Sequence, residues 1–163
     1  LAEKAEISTG VISQIERNLT TPSMKSLFSI TKVLKVPVGW LLNEDNDTDN
    51  DEQDIIVRNN KRRTVNLEGN ITEQILTPRF SGNLQLILVK IAARGGSNRE
   101  GYSHKGEEAG FVVQGTVDLT VEAKTYNLNE GDSFKFDSSK KHTFYNPGDK
   151  ETIILWANTP AIF

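Results

Sequence analysis

The stretch GFVVQGTVDLTVEA, residues 110–123, decides how most of this chain must fold. From Thr116 to Val121 polar and apolar side chains alternate, and a period of two puts each set on its own face of a strand. The same texture recurs in LQLILVKI (84–91), SFKFD (133–137), HTFYN (142–146) and TIILWANT (152–159). RGGSN, NEGD and NPGD supply turn signals between them. About 110 residues of short strands with frequent turns predict an all-β sandwich or barrel over 55–163, not a parallel α/β sheet. A closed barrel has no free strand edges, and its mouth encloses a natural ligand cavity.

Upstream, both period and charge change. Residues 44–54, EDNDTDNDEQD, carry seven acids, no base and no apolar side chain. Such a segment buries nothing to offset the entropy of ordering, so it is read as an extended, solvated linker. Residues 1–43 carry five basic side chains against three acids. Here apolar residues recur at helical spacing. LAEKAE starts inside a helix without a capping residue. Ser8 is placed to cap a second helix, Thr9–Arg17, with Ile12 and Ile15 inward and Thr9, Gly10, Ser13, Gln14 and Arg17 outward. TPS opens a third helix that runs through Leu27, Ile30 and Leu34, and Pro37 separates it from a short helix, VGWLL. A bundle fused to a β-module makes the chain α+β and multidomain.

Composition narrows the chemistry. The 163 residues contain no cysteine and two histidines, so thiolate zinc sites and cysteine nucleophiles are excluded, and any metal must use histidine and carboxylate. No apolar run reaches the roughly 20 residues that span a bilayer, and no signal peptide opens the chain; the expectation is a cytoplasmic protein with no membrane partner.

ISTGVISQIERNLTTPSMKSLFSITKVLKVPVGWLL resembles the phage-repressor-like helix-turn-helix of bacterial regulators. That resemblance implies a DNA-binding domain at 1–43 whose second helix enters a major groove. Gln14 then pairs with adenine, Thr9 and Ser13 reach bases or phosphates, Gly10 admits a close backbone approach, and Arg17 completes the face. In that family a further helix precedes the position of Leu1, so the domain is expected to be partial, and Glu16 is expected to be a structural acid.

YSHKGEEAGFVVQG (102–115) and the later Gly131, Asp137, Ser139, His142 and Asn146 resemble the two motifs of the cupins, double-stranded β-helix barrels. Tyr102 stands where the first motif has its first histidine, and Asp137 and Ser139 replace a proline and a glycine. The resemblance implies a ligand pocket at Tyr102, His104, Glu108 and His142. It also implies a metal set of His104, Glu108 and His142, suited to zinc, iron or manganese. On one straight strand His104 and Glu108 would lie about 13 Å apart, so the chain must bend between them, at Gly106. Glu107 should point away. NNKRR, ending at Arg63, Arg79 and Arg94 are read as surface residues before ligand or DNA contacts.

Together the two resemblances imply a homodimeric transcription regulator that binds a double-stranded DNA operator and senses a small-molecule effector in the barrel of 55–163. The acids at Glu108 and Glu107 favour a cationic effector, a polyamine or another amino compound. The competing reading is a metal-dependent oxygenase or isomerase built on His104, Glu108 and His142. No separate acid–base constellation accompanies that trio and the helical reader has no part in such a reaction, so a non-enzyme is expected.

Overall fold

The structure, a computed structural model, describes residues 1–34, 36, 55–78 and 83–161. The linker expected at 44–54, the helix expected at 38–42 and Arg79 lie outside the described residues.

Among the described residues three helices come first: α1 (Ala2–Ala5), α2 (Thr9–Glu16) and α3 (Met24–Leu34). Ser8 is extended and its Oγ accepts from the backbone N–H of Val11 at 3.2 Å, satisfying one of the free donors of the first turn of α2. The helix ends one residue short of the expectation, with Arg17 as its C-cap. Ser23 serves α3 in the same way, its Oγ accepting from the N–H of Ser26 at 3.1 Å. Ala5, Ile12 and Ile30 form a small helical core, flanked by Ile7, Ile15 and Val33.

Among the described residues nine strands follow a 3-10 turn at Asn59–Lys61: β1 (Thr64–Leu67), β2 (Ile71–Ile75), β3 (Gln85–Ile91), β4 (Glu107–Gln114), β5 (Thr116–Val121), β6 (Lys124–Asn129), β7 (Ser133–Asp137), β8 (His142–Tyr145) and β9 (Thr152–Thr159). One sheet has the order β1-β2-β3-β9-β4-β7 and the other β6-β5-β8, with antiparallel pairing throughout. The alternation read from the sequence becomes the wall of the barrel. Ile87, Val89 and Ile91 of β3, Val112 of β4, Val117 and Leu119 of β5 and Ile154 and Trp156 of β9 point into a common core. Full burial of each such aliphatic side chain is worth about 1.5–3 kcal/mol, and this dry interior is what fixes the register of the sheets.

At one end the inward row turns polar. Glu108 of β4 pairs with Asn158 of β9, which pairs with Gln85 of β3, and all three are buried. Met24 and Leu27 of α3 belong to the same apolar cluster as the barrel, so the helix is seated over this end.

Candidate functional site

The bend expected between His104 and Glu108 lies at Gly106, whose φ is +131° and where a Cβ would stand 2.1 Å from the carbonyl oxygen of Thr159. Only glycine passes that point, and the chain turns there from the loop carrying His104 into β4. As a result His104 Nε2 donates to Glu108 Oε1 at 2.5 Å. Trp156 Nε1–H donates to the other carboxylate oxygen at 3.0 Å. His142 enters from β8, with Nε2 at 3.6 Å from Glu108 Oε1. Its Nδ1 bonds the carbonyl of Lys140 at 2.8 Å; a carbonyl can only accept, so the proton sits on Nδ1 and the Nε2 lone pair faces the carboxylate. Burial holds the His142 pKa below the ordinary histidine value, against the pull of Glu108, and keeps the ring neutral.

His104, Glu108 and His142 each offer one ligand atom, and these atoms lie within 4.8 Å of one another. Two imidazoles and a carboxylate, with His142 Nε2 buried and without a partner, fit a divalent metal. The hydrogen bond from His104 and such a metal use the same nitrogen, so they are alternative states of the site. Tyr102 also lines it, its ring edge-on to His142 with centroids 4.3 Å apart. Burial, then the nearby Glu108 and Glu73, raise the Tyr102 pKa well above 10, which keeps it a phenol.

Other residues join this site that the sequence reading did not single out. Glu73 of β2 is buried, Oε2 has no partner, and its pKa is pushed up to about 8 by desolvation and then by Glu108. Asn158 Oδ1 is also buried and unpartnered. A signal is present in the sequence: in ITEQI, Glu73 shares the inward face with Ile71 and Ile75, and an acid in an apolar period is anomalous. Phe28 of α3 completes the set, stacked on His104 at 5.1 Å and on Tyr102 at 5.8 Å between centroids.

Elsewhere, Thr9, Gly10, Gln14 and Arg17 are exposed on α2 and Ser13 is half-buried. Arg17 Nε donates to the carbonyl of Ser13 at 3.0 Å. Glu107 is exposed and paired with Lys135 at 2.7 Å, on the face of β4 opposite Glu108. Arg94 is an exposed turn residue with φ of 60°, and Arg62 and Arg63 follow the 3-10 turn, half-buried.

A helix-turn-helix family model matches residues 1–41 and a cupin domain model matches residues 88–158. The HTH-type transcriptional regulator PuuR of Escherichia coli K12 is 24% identical over 162 residues, which is 99% of this chain and 86% of that protein. The chain thus carries a helix-turn-helix domain and a cupin domain, and it is similar over nearly its whole length to an HTH-type transcriptional regulator. The chain is also 48% identical over 54 residues to the HTH-type transcriptional regulator SinR of Bacillus licheniformis, 32% of this chain and 49% of that protein. Among solved structures, a helix-turn-helix family transcriptional regulator from Vibrio cholerae superposes with a TM-score of 0.63 and 15% identity over 97% of this chain and 83% of its own. An RmlC-like cupin from Shewanella frigidimarina superposes at 0.56 with 18% identity, over 65% of this chain and 90% of its own. This helix-turn-helix–cupin regulator is therefore a DNA-binding protein, and among its described residues no helix is long and apolar enough to cross a membrane.

Proposed function

We propose that this regulator senses a small molecule in its barrel and reads DNA with α2 as a homodimer in the cytoplasm. One observation carries the sensing role. The buried side-chain atoms left unpartnered around the barrel site include Asn158 Oδ1 and His142 Nε2, which are acceptors, and Glu73 Oε2, which becomes an acceptor and a charge once a guest draws the proton from Glu73. Among the described residues, no lysine or arginine lines the cavity beside Glu73 and Glu108. Buried acceptors without donors are costly, so the interior is complementary to a donor-rich or cationic guest. A polyamine or another amino compound has that chemistry.

Reading DNA falls to Thr9, Gly10, Ser13, Gln14 and Arg17, on the helix that would enter the major groove. Two copies would set two such helices about 34 Å apart, one DNA turn. The outward face of β3, β9 and β4 supplies an apolar surface for the second copy: Leu86, Leu88, Phe111, Val113, Ile153 and Leu155 alternate with the core positions. The test is titration of the intact protein on its operator, recovered by selection from random duplexes, against a metabolite panel. An effector shifts operator affinity about 5- to 150-fold, the range of a 1–3 kcal/mol coupling. Unchanged affinity for every amine removes the cationic version.

The mutual proximity of His104, Glu108 and His142 favours a second reading, in which zinc, iron or manganese is held there. Such an ion would supply Lewis-acid or redox chemistry, while Trp156 would go on orienting the Glu108 carboxylate. Elemental analysis of unchelated protein decides between them: a stoichiometric redox metal with turnover supports an enzyme, and metal-free protein that still binds an amine supports the sensor.

A further inference from the structure

Helix α3 is apolar on two sides. Ile30 and Val33 pack into the helical core with Ala5 and Ile12, whereas Met24 and Leu27 belong to the core of the barrel, 6% and 3% exposed. A helix that only completed a bundle would need one stripe. The second stripe ends in Phe28, whose ring stands on those of Tyr102 and His104. Beneath Met24 the barrel retains a cavity of about 20 Å³, which is room for a single water-sized group. No amine with a carbon chain, and no metabolite, fits there while α3 is seated.

We infer that α3 is the lid of the barrel, so that filling the barrel and lifting the DNA-reading unit from it are one event. The inference rests on the sensor reading above and adds how that site is regulated. The seat is held mainly by apolar contact. Its polar ties among the described residues include the Glu68 N–H, which donates to the Pro22 carbonyl at 3.2 Å, and an exposed ion pair of Lys25 with Glu100. Exposed pairs of that kind contribute little. A guest that occupies the space of Met24, or that takes His104 from beneath Phe28, therefore removes the greater part of the hold. Because α3 shares its other stripe with Ile12 of α2, the reading helix travels with the lid. A guest with higher affinity for the open form shifts the population toward it, and by linkage a duplex that prefers free heads tightens the guest.

Acrylamide quenching of Trp156 tests the lid without knowledge of the ligand. The chain has two tryptophans, and Trp40→Phe leaves Trp156, 4% exposed, as the single reporter. In that background Phe28→Ala should raise the quenching constant severalfold, and the exposed Lys32→Ala should leave it unchanged. Should Phe28→Ala fail to fold, Leu27→Ala, which removes another of the apolar contacts that hold the seat, should raise quenching in its place. Spin labels on cysteines introduced at Glu16 and Glu130, both exposed, should show a broadened distance distribution in the same opening variants. Quenching and label distances that do not respond to any of these changes overturn the lid. If the variants open as expected while no metabolite alters operator affinity, the lid stands and the sensor reading fails instead.

Discussion

Glu73 shows how one side chain can give the whole fold a pH dependence. Its carboxyl is buried and its pKa stands at about 8 against an ordinary 4.5, so the folded state holds a proton that the unfolded chain has released between those values. Stability contributed by this group is fully present below about pH 4.5 and is lost as pH rises toward 8, at about 1.4 kcal/mol per pH unit. Glu73→Gln keeps the shape and cannot ionise, so its urea midpoint should fall behind or match the parent at pH 5 and exceed it at pH 8. A constant difference across that range would show that Glu73 ionises freely in the fold. Gly106 makes the complementary point about backbone. Gly106→Ala puts a methyl into the Thr159 carbonyl at a positive φ and should cost about 1–3 kcal/mol. It should also separate His104 from Glu108, and a loss of zinc affinity by calorimetry larger than the loss of stability would report that separation.

At the scale of elements, much is legible in the sequence. Period two in β3, β5 and β9 and the cap at Ser8 are local signals, since strand faces and first-turn N–H groups depend on near neighbours. The bend at Gly106 is legible as well, because His104 and Glu108 could meet no other way. What escapes is set by distant contacts. Leu27, Ile30 and Leu34 recur at helical spacing along α3, but Leu27 faces the barrel, Ile30 faces the helices and Leu34 is exposed. Spacing marks which residues are apolar and cannot say which of two cores claims each. Phe28 over His104 is the same case, a contact 76 positions apart in the chain. The reading helix offers a separate prediction. Gln14 is exposed on α2, and Gln14→Ala should relax the preference at one base pair by about 1–3 kcal/mol if it pairs with adenine. A loss shared equally by all duplexes in a binding array would instead mark a phosphate contact.

In the proposed homodimer the decisive quantity is how the two reading helices are spaced, which contact between the barrels would set. A single short reader meets few bases, so operator specificity depends on a second copy held in register. The outward row of β4 and β9 is the apolar surface that the proposed dimer would cover: Phe111 and Val113 are 44% exposed, and Phe111 pairs with Leu155 across the strands. An apolar row on the central strands of a sheet is expensive to leave wet, at about 25 cal/mol per Å². Leu155→Glu places a charge in that row without touching α2, α3 or the inward face. Analytical ultracentrifugation should then find monomers at concentrations where the parent is dimeric, and operator affinity should fall while binding to arbitrary duplex changes little, since phosphate contacts per head are retained. A variant that stays dimeric would move the interface elsewhere on the barrel, and one that turns monomeric with unchanged operator affinity would show that each head reads its site alone.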